Sequence, residues 1–141
     1  IGPGIFDGYL SPRTLREKIL QHGWFMTWDY ALKKADGLLI VKGREKNVIN
    51  VSGNKVFPNE VEDVINGYKG VIISKAYSKT HSLMGEVVAV DIVVDKDVVI
   101  DAESIRNYCK QTLSSFKLPQ FINVVDKIDM TDSGKVKRID K

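Results

Sequence analysis

The sequence predicts an α+β fold, and three observations carry that prediction. Residues 46–141 read as β-β-α-β-β-α-β followed by a tail, with strands and helices interspersed rather than strictly alternating. Glycine, proline and Asp/Asn turn signals punctuate those runs. Residues 43–65 compress a Gly-Arg strand end, a charged break and a fresh helix start into one stretch, which divides the chain at 45/46.

In chain order, Gly2 to Tyr9 is glycine-rich and loop-like. Ser11 is placed to cap a helix that starts at Pro12, with Leu15, Ile19 and Leu20 at helical spacing and Gly23 as its stop. Trp24 to Ala31 reads as an irregular aromatic strand, and Asp36-Gly37 as the turn leading into Leu38–Val41. A helix plus a hairpin is too small to bury a core alone, so residues 1–45 are expected to be the edge of something larger. The opening Ile1-Gly2-Pro3-Gly4, which lacks methionine, is consistent with a chain cut from a longer protein.

After Lys46 the pattern restarts. Val48–Val51 and Lys55–Phe57 suit a short hairpin around Gly53. Pro58 begins a helix whose Val61, Val64, Ile65 and Tyr68 share one face. Val71–Tyr77 is a β-branched strand, residues 78–85 a polar loop, and Val87–Val94 a second strand. Asp101 caps a helix lined by Ile105, Tyr108, Cys109 and Leu113, which Lys117-Leu118-Pro119 breaks. Phe121–Val125 is the last strand, and a polar, basic tail follows.

Composition removes several function classes. No apolar run approaches the roughly 20 residues that span a bilayer. Cys109 is the lone cysteine, which suits a reducing cytoplasm. His22 and His81 have no ligand-spaced Cys or His neighbours, so no metal site is expected in the chain. The net charge of +3 permits anionic ligands without demanding nucleic acid.

Three places are suited to chemistry. Asp29, at a strand end, can accept hydrogen bonds from vicinal hydroxyls such as those of a ribose; equally it can be an ordinary hairpin carboxylate. Arg44 presents a fork to a ribose or phosphate oxygen, or forms a surface ion pair. Lys135, in Thr131-Asp132-Ser133-Gly134-Lys135, sits on a glycine turn from which it can reach an oxyanion, or belongs to a frayed basic tail. There is no GxxxxGK[ST] loop, so Lys135 is not a phosphate-loop lysine of that kind.

Taken in order, Asp29, Gly43-Arg44, Pro58-Asn59-Glu60-Val61-Glu62 and Gly134-Lys135 resemble the adenylate-forming superfamily: acyl-CoA synthetases, carrier-protein-directed adenylation domains and luciferases. Gly23-Trp24-Phe25, Gly85-Glu86-Val87-Val88 and Phe116-Lys117-Leu118-Pro119 support the resemblance, which covers essentially the whole chain. Val51-Ser52-Gly53 with Val56-Phe57-Pro58-Asn59-Glu60 is most similar to fatty-acyl or aryl CoA ligases.

The resemblance implies a small C-terminal domain (46–141), built of a hairpin and a mixed three-stranded sheet with helices, preceded by an edge of the large N-terminal domain (1–45). It implies ATP, Mg2+ and coenzyme A as cofactors and co-substrates, with the Mg2+ ligand outside this chain. It implies the large domain as partner. Asp29 and Arg44 then match the ribose-contacting pair, Lys46 the hinge, Ser52 and Gly53 the loop lining the pantetheine channel, and Lys135 the catalytic lysine. The chain alone is expected to be inactive, because the family's phosphate loop, Mg-binding glutamate and acyl pocket lie upstream.

Two alternatives remain beside a CoA ligase: an adenylation domain that loads a carrier protein, and a non-catalytic anion-binding module using Lys135, Lys137, Arg138 and Lys141. Three departures stand out. Trp28 replaces the usual glycine before Asp29 and is expected to disturb or reshape that site. Asp129 replaces a proline and is expected to loosen the lysine turn. Ser52-Gly53 has one glycine where many relatives have two.

Overall fold

The computed structural model describes residues 7–138. The opening Ile1-Gly2-Pro3-Gly4 and the terminal Lys141 lie outside the described residues.

The first region is a series of small antiparallel pairs. Strand β1 (Gly8–Leu10) pairs β2 (Arg13–Leu15), a single helical turn α1 (Arg16–Ile19) follows, and β3 (Leu20–Gln21) pairs β4 (Trp24–Phe25). The long helix expected from Ser11 to Gly23 is therefore corrected to one turn. Gly8↔Leu15 pairing claims the first half of that stretch, and the Arg16 N–H is taken by the Asp7 carbonyl. His22 and Gly23, at φ 52° and 81°, form the turn between β3 and β4. The expected Trp24–Ala31 strand is interrupted over residues 26–28, and β5 (Asp29–Lys33) starts after them. It pairs with β6 (Leu39–Arg44) around Asp36-Gly37, where the Asp36 carboxylate accepts the Leu38 N–H at 3.0 Å.

The second region holds the core. A 3-10 turn, Glu45–Asn47, leads to the hairpin β7 (Ile49–Val51) and β8 (Asn54–Val56). Ser52 and Gly53, at φ 48° and 84°, make the left-handed turn that such a two-residue connection requires. Helix α2 (Pro58–Asn66) starts at proline, as expected from a residue with no N–H to leave unpaired. Its Val61 and Ile65 are completely buried, with Val64 and Tyr68 packed against the core.

Strands β9 (Val71–His81) and β10 (Gly85–Val94) form a long antiparallel pair, and β11 (Phe121–Val124) joins β10 in parallel. The polar loop expected over 78–85 is corrected to strand for Ser78–His81. Pairing with Glu86–Val88 satisfies this backbone whatever the side chains are, and a polar stretch suits the outer end of an edge strand. Strand β10 lies centrally, and its unbroken Val87-Val88-Ala89-Val90 run is buried on both faces. At Gly85 it also pairs with Val51, which welds the β7–β8 hairpin to the three other strands as one five-stranded sheet.

Helix α3 (Ala102–Cys109) is capped by the Asp101 carboxylate, which accepts the Ser104 N–H at 3.1 Å. It stops at Cys109, earlier than the Lys117-Leu118-Pro119 break predicts; a separate 3-10 turn spans Ser115–Lys117. Ile105 and Cys109 seal the core beside α2, and burial pushes the Cys109 thiol up. Among the described residues, no helix is long and apolar enough to cross a membrane.

Candidate active site at the joint between the two regions

Strand register places Asp29 opposite Arg44, at the end of the β5–β6 hairpin next to the joint. The Arg44 Nε lies 3.4 Å from the Asp29 Oδ1, and the guanidinium is mostly exposed. Both groups thus face one another while the arginine keeps donors available to a ligand. The Asp29 N–H bonds to the Thr27 hydroxyl at 3.3 Å.

Trp28 has φ 58°, the left-handed conformation that favours glycine. Adopting it costs a non-glycine residue about 1–2 kcal/mol. The position is nonetheless held, because the Trp28 carbonyl accepts the Glu45 N–H at 2.8 Å. Asp29 keeps its register with Arg44, and the indole is more than half exposed.

Lys46 follows in the 3-10 turn Glu45–Asn47, between the last strand of the first region and the first of the second. Side chains bridge the regions on either side of it. Glu60, in the first turn of α2, accepts from Lys42 at 2.9 Å and from Lys117 at 2.7 Å. Burial pushes the Glu60 carboxyl up, but the hydrogen bonds and charges of Lys117 and Lys42 outweigh it and hold the group below its ordinary range. The Lys55 ammonium bonds the Tyr30 hydroxyl at 2.6 Å, and the Tyr30 ring meets Phe57 edge-on at 5.6 Å between centroids.

Ser52 and Gly53 form the tip of the β7–β8 hairpin, and Ser52 lines an apolar cavity of about 280 Å³ with Val51, Met84, Val88, Phe116 and Leu118 among its walls. Lys135 is exposed on a tight turn in the second region. Met130 bridges Val136, the Thr131 N–H donates to the Lys135 carbonyl at 2.7 Å, and the Lys135 N–H donates to the Thr131 hydroxyl at 3.1 Å. Gly134, at φ 74°, supplies the left-handed step. At the Asp129 position the backbone carbonyl accepts the Lys137 N–H at 2.8 Å and closes the base of the turn.

Sequence reasoning did not pair two residues, Glu62 and Arg138, that the fold brings together. The Arg138 guanidinium bonds the Glu62 carboxylate at 2.7 Å, the Asn59 side-chain oxygen at 2.8 Å and the Ala76 carbonyl at 3.1 Å. A carboxylate next to the apolar stripe of α2 was the available signal for Glu62; its partner lies 76 positions away. Among the described residues, no group of three or more His, Cys, Asp or Glu side chains is placed to hold a metal ion.

Residues 60–135, more than half of the chain, match the family described as the AMP-binding enzyme C-terminal domain. The long-chain-fatty-acid–CoA ligase of Escherichia coli is 33% identical over 97% of this chain and 24% of its own length. The 2-succinylbenzoate–CoA ligase of Listeria monocytogenes is 33% identical over 97% of this chain and 29% of its own length. Among solved structures, ATP-bound MatB from Rhodopseudomonas palustris superposes with a TM-score of 0.83 at 29% identity, covering 96% of this chain and 27% of that one. The chain thus spans about a quarter of the length of the curated relatives it matches. With its α+β core and its joint in front of it, the chain belongs to the C-terminal domain family of the AMP-binding, adenylate-forming enzymes.

Proposed function

We propose that this chain is the C-terminal part of an ATP-dependent acid–thiol ligase that activates a fatty or aryl carboxylic acid as acyl-AMP and passes the acyl group to coenzyme A. One observation supports this best: a carboxylate–guanidinium pair, Asp29 and Arg44, ends immediately before a hinge-like turn, while an exposed lysine sits on a glycine turn beyond it. Such an arrangement suits one active site shared between two bodies that move against each other. Residues 1–45 then belong to the large domain, and 46–141 form the mobile one.

In this reading Asp29 accepts the ribose hydroxyls of ATP and Arg44 steadies the same sugar. A carboxylate oxygen of the acid attacks the α-phosphorus, the bond to pyrophosphate breaks, and acyl-AMP remains. Lys135 bridges the two anionic reactants and offsets their repulsion as charge develops. Lys46 is the pivot for the second half. Coenzyme A's thiol attacks the acyl carbonyl, AMP leaves, and the thiol proton passes to solvent; Ser52 and Gly53 line the approach of the thiol arm. ATP-bound neighbours and CoA-ligase relatives favour this reading.

Testing it requires the full-length enzyme with ATP and a panel of fatty and aryl acids, offered either free CoA or a holo carrier protein. Pyrophosphate release with formation of an acyl-CoA is expected. Acylation of the carrier protein alone would move the assignment to an adenylation domain or acyl-AMP ligase. Failure of every acid to support ATP–pyrophosphate exchange would remove the ligase reading.

A further inference from the structure

Helix α2, edge strand β9 and Arg138 meet at one residue, Ala76. Ala76 is paired with Val90 of β10, and its own N–H and carbonyl point to the free side of β9. The Ala76 N–H donates to one Glu62 oxygen at 2.7 Å, and the Arg138 guanidinium donates to the Ala76 carbonyl at 3.1 Å. The same guanidinium donates to the other Glu62 oxygen and to Asn59, at 2.7 and 2.8 Å. Both Glu62 oxygens are used, and the Glu62 side chain is 10% exposed. A buried charge satisfied in this way fixes its partner's position tightly, because any other placement leaves it unpaired.

Arg138 lies three residues after Lys135. Three residues extend at most about 10 Å, so a guanidinium fixed on α2 and β9 limits where the lysine turn can sit. The turn's internal bonds, Met130 with Val136 and Lys137 with Asp129, give it a shape. They do not attach it to the domain. Arg138 supplies that attachment at its C-terminal end.

We propose that Arg138, held by Glu62 and Asn59, is a positioning residue for adenylation: it docks the Lys135 turn onto the body of the mobile domain, so that the lysine arrives at the acyl and phosphate oxygens in register. The proposal rests on the catalytic reading of Lys135 given above. Its chemistry is indirect, since Arg138 itself faces the domain interior rather than any substrate. Misplacement of a reacting group by about 1 Å can cost on the order of 100-fold in rate, which sets the size of the effect sought.

The test uses full-length enzyme carrying Arg138→Ala, Arg138→Lys, Asn59→Ala, Lys135→Ala and the double variant Arg138→Ala/Lys135→Ala. Adenylation is followed by ATP–pyrophosphate exchange, and the second half by thioester formation from supplied acyl-AMP. Arg138→Ala should lower the kcat of exchange by about 10- to 100-fold with little change in the KM for ATP, and spare the second half. Arg138→Lys keeps the charge but loses the fork, and should recover only part of the loss. In the Lys135→Ala background, removal of Arg138 should cause no further loss of exchange, which a merely structural role would not predict. If Arg138→Ala fails to fold, Asn59→Ala, which removes one exposed contact, should give a two- to fivefold loss confined to exchange. Equal slowing of both halves, or an added loss on top of Lys135→Ala, overturns the positioning role. Normal exchange in Lys135→Ala overturns the catalytic reading itself, whereas impaired exchange there with normal exchange in Arg138→Ala and Asn59→Ala removes this inference alone.

Discussion

The two sides of the joint differ in how they are held. Among the described residues, none before Val48 is buried, and Trp24, Phe25, Trp28, Leu32, Leu39 and Val41 are all exposed. Beyond Val48, Ile49, Val56, Val61, Ile65, Val88, Val90, Ile92, Ile105 and Cys109 form one core. The first side is shaped by local strand pairing, so its apolar surface remains available to another body. The second side is shaped by long-range packing around one core. The proposed ribose-contacting pair lies on the first and the proposed catalytic lysine on the second, which is how a two-body active site divides its labour.

The strongest way to break this contrast is Lys135→Ala in the full-length enzyme. ATP–pyrophosphate exchange should fall by about 100- to 1,000-fold while thioester formation from supplied acyl-AMP is spared; near-normal exchange would show that the second side carries no adenylation chemistry. Next in size is a paired truncation in the chain alone. Ile65→Ala should cost about 2–5 kcal/mol of unfolding free energy, and Leu39→Ala less than about 0.5 kcal/mol, both read from urea midpoints. In the full-length enzyme Leu39→Ala should become destabilising by about 1–2 kcal/mol if another domain covers it, and an unchanged midpoint there would argue against that cover.

Lys46→Pro sharpens the contrast at the joint itself. Stiffening the turn should slow the thioester half about tenfold more than adenylation, measured by single-turnover quench; equal slowing would argue against a pivot. The smallest effect concerns Glu60, which ties the two sides through Lys42. Its folded-state pKa lies below the ordinary 4.5, so its contribution is present above that value and lost as pH falls through the lowered one. Glu60→Gln should lower stability by about 1 kcal/mol or less at neutral pH, and the gap should close in acid. A gap that stays constant with pH would mean that the two lysines do not stabilise the charged form.

Legibility in the sequence followed the same division. Helix α2, β10, the Asp101 cap and the Ser52-Gly53 turn were readable because each is a local signal that the core reinforces. The misreadings cluster where backbone pairing overrides side-chain pattern: the Ser11–Gly23 stretch, whose helical spacing lost to β1–β2 and β3–β4 pairing, and Ser78–His81, whose polarity hid a strand end. Asp29, Arg44 and Lys135 stood out only through their order along the chain, since each alone also suits a plain surface charge. Arg138 was unreadable, because its meaning depends on Glu62 and Ala76, brought to it by folding alone.

The clamp on Ala76 has a second consequence. An unpaired peptide on an edge strand is a template on which another chain can add a strand. Glu62 and Arg138 occupy the N–H and carbonyl of Ala76 as a neighbouring strand would, and Lys75 and Lys79 lie near it on the same strand. A chain ending before Arg138 should therefore leave the Ala76 carbonyl of β9 open to a neighbouring strand, while Glu62 still holds the N–H.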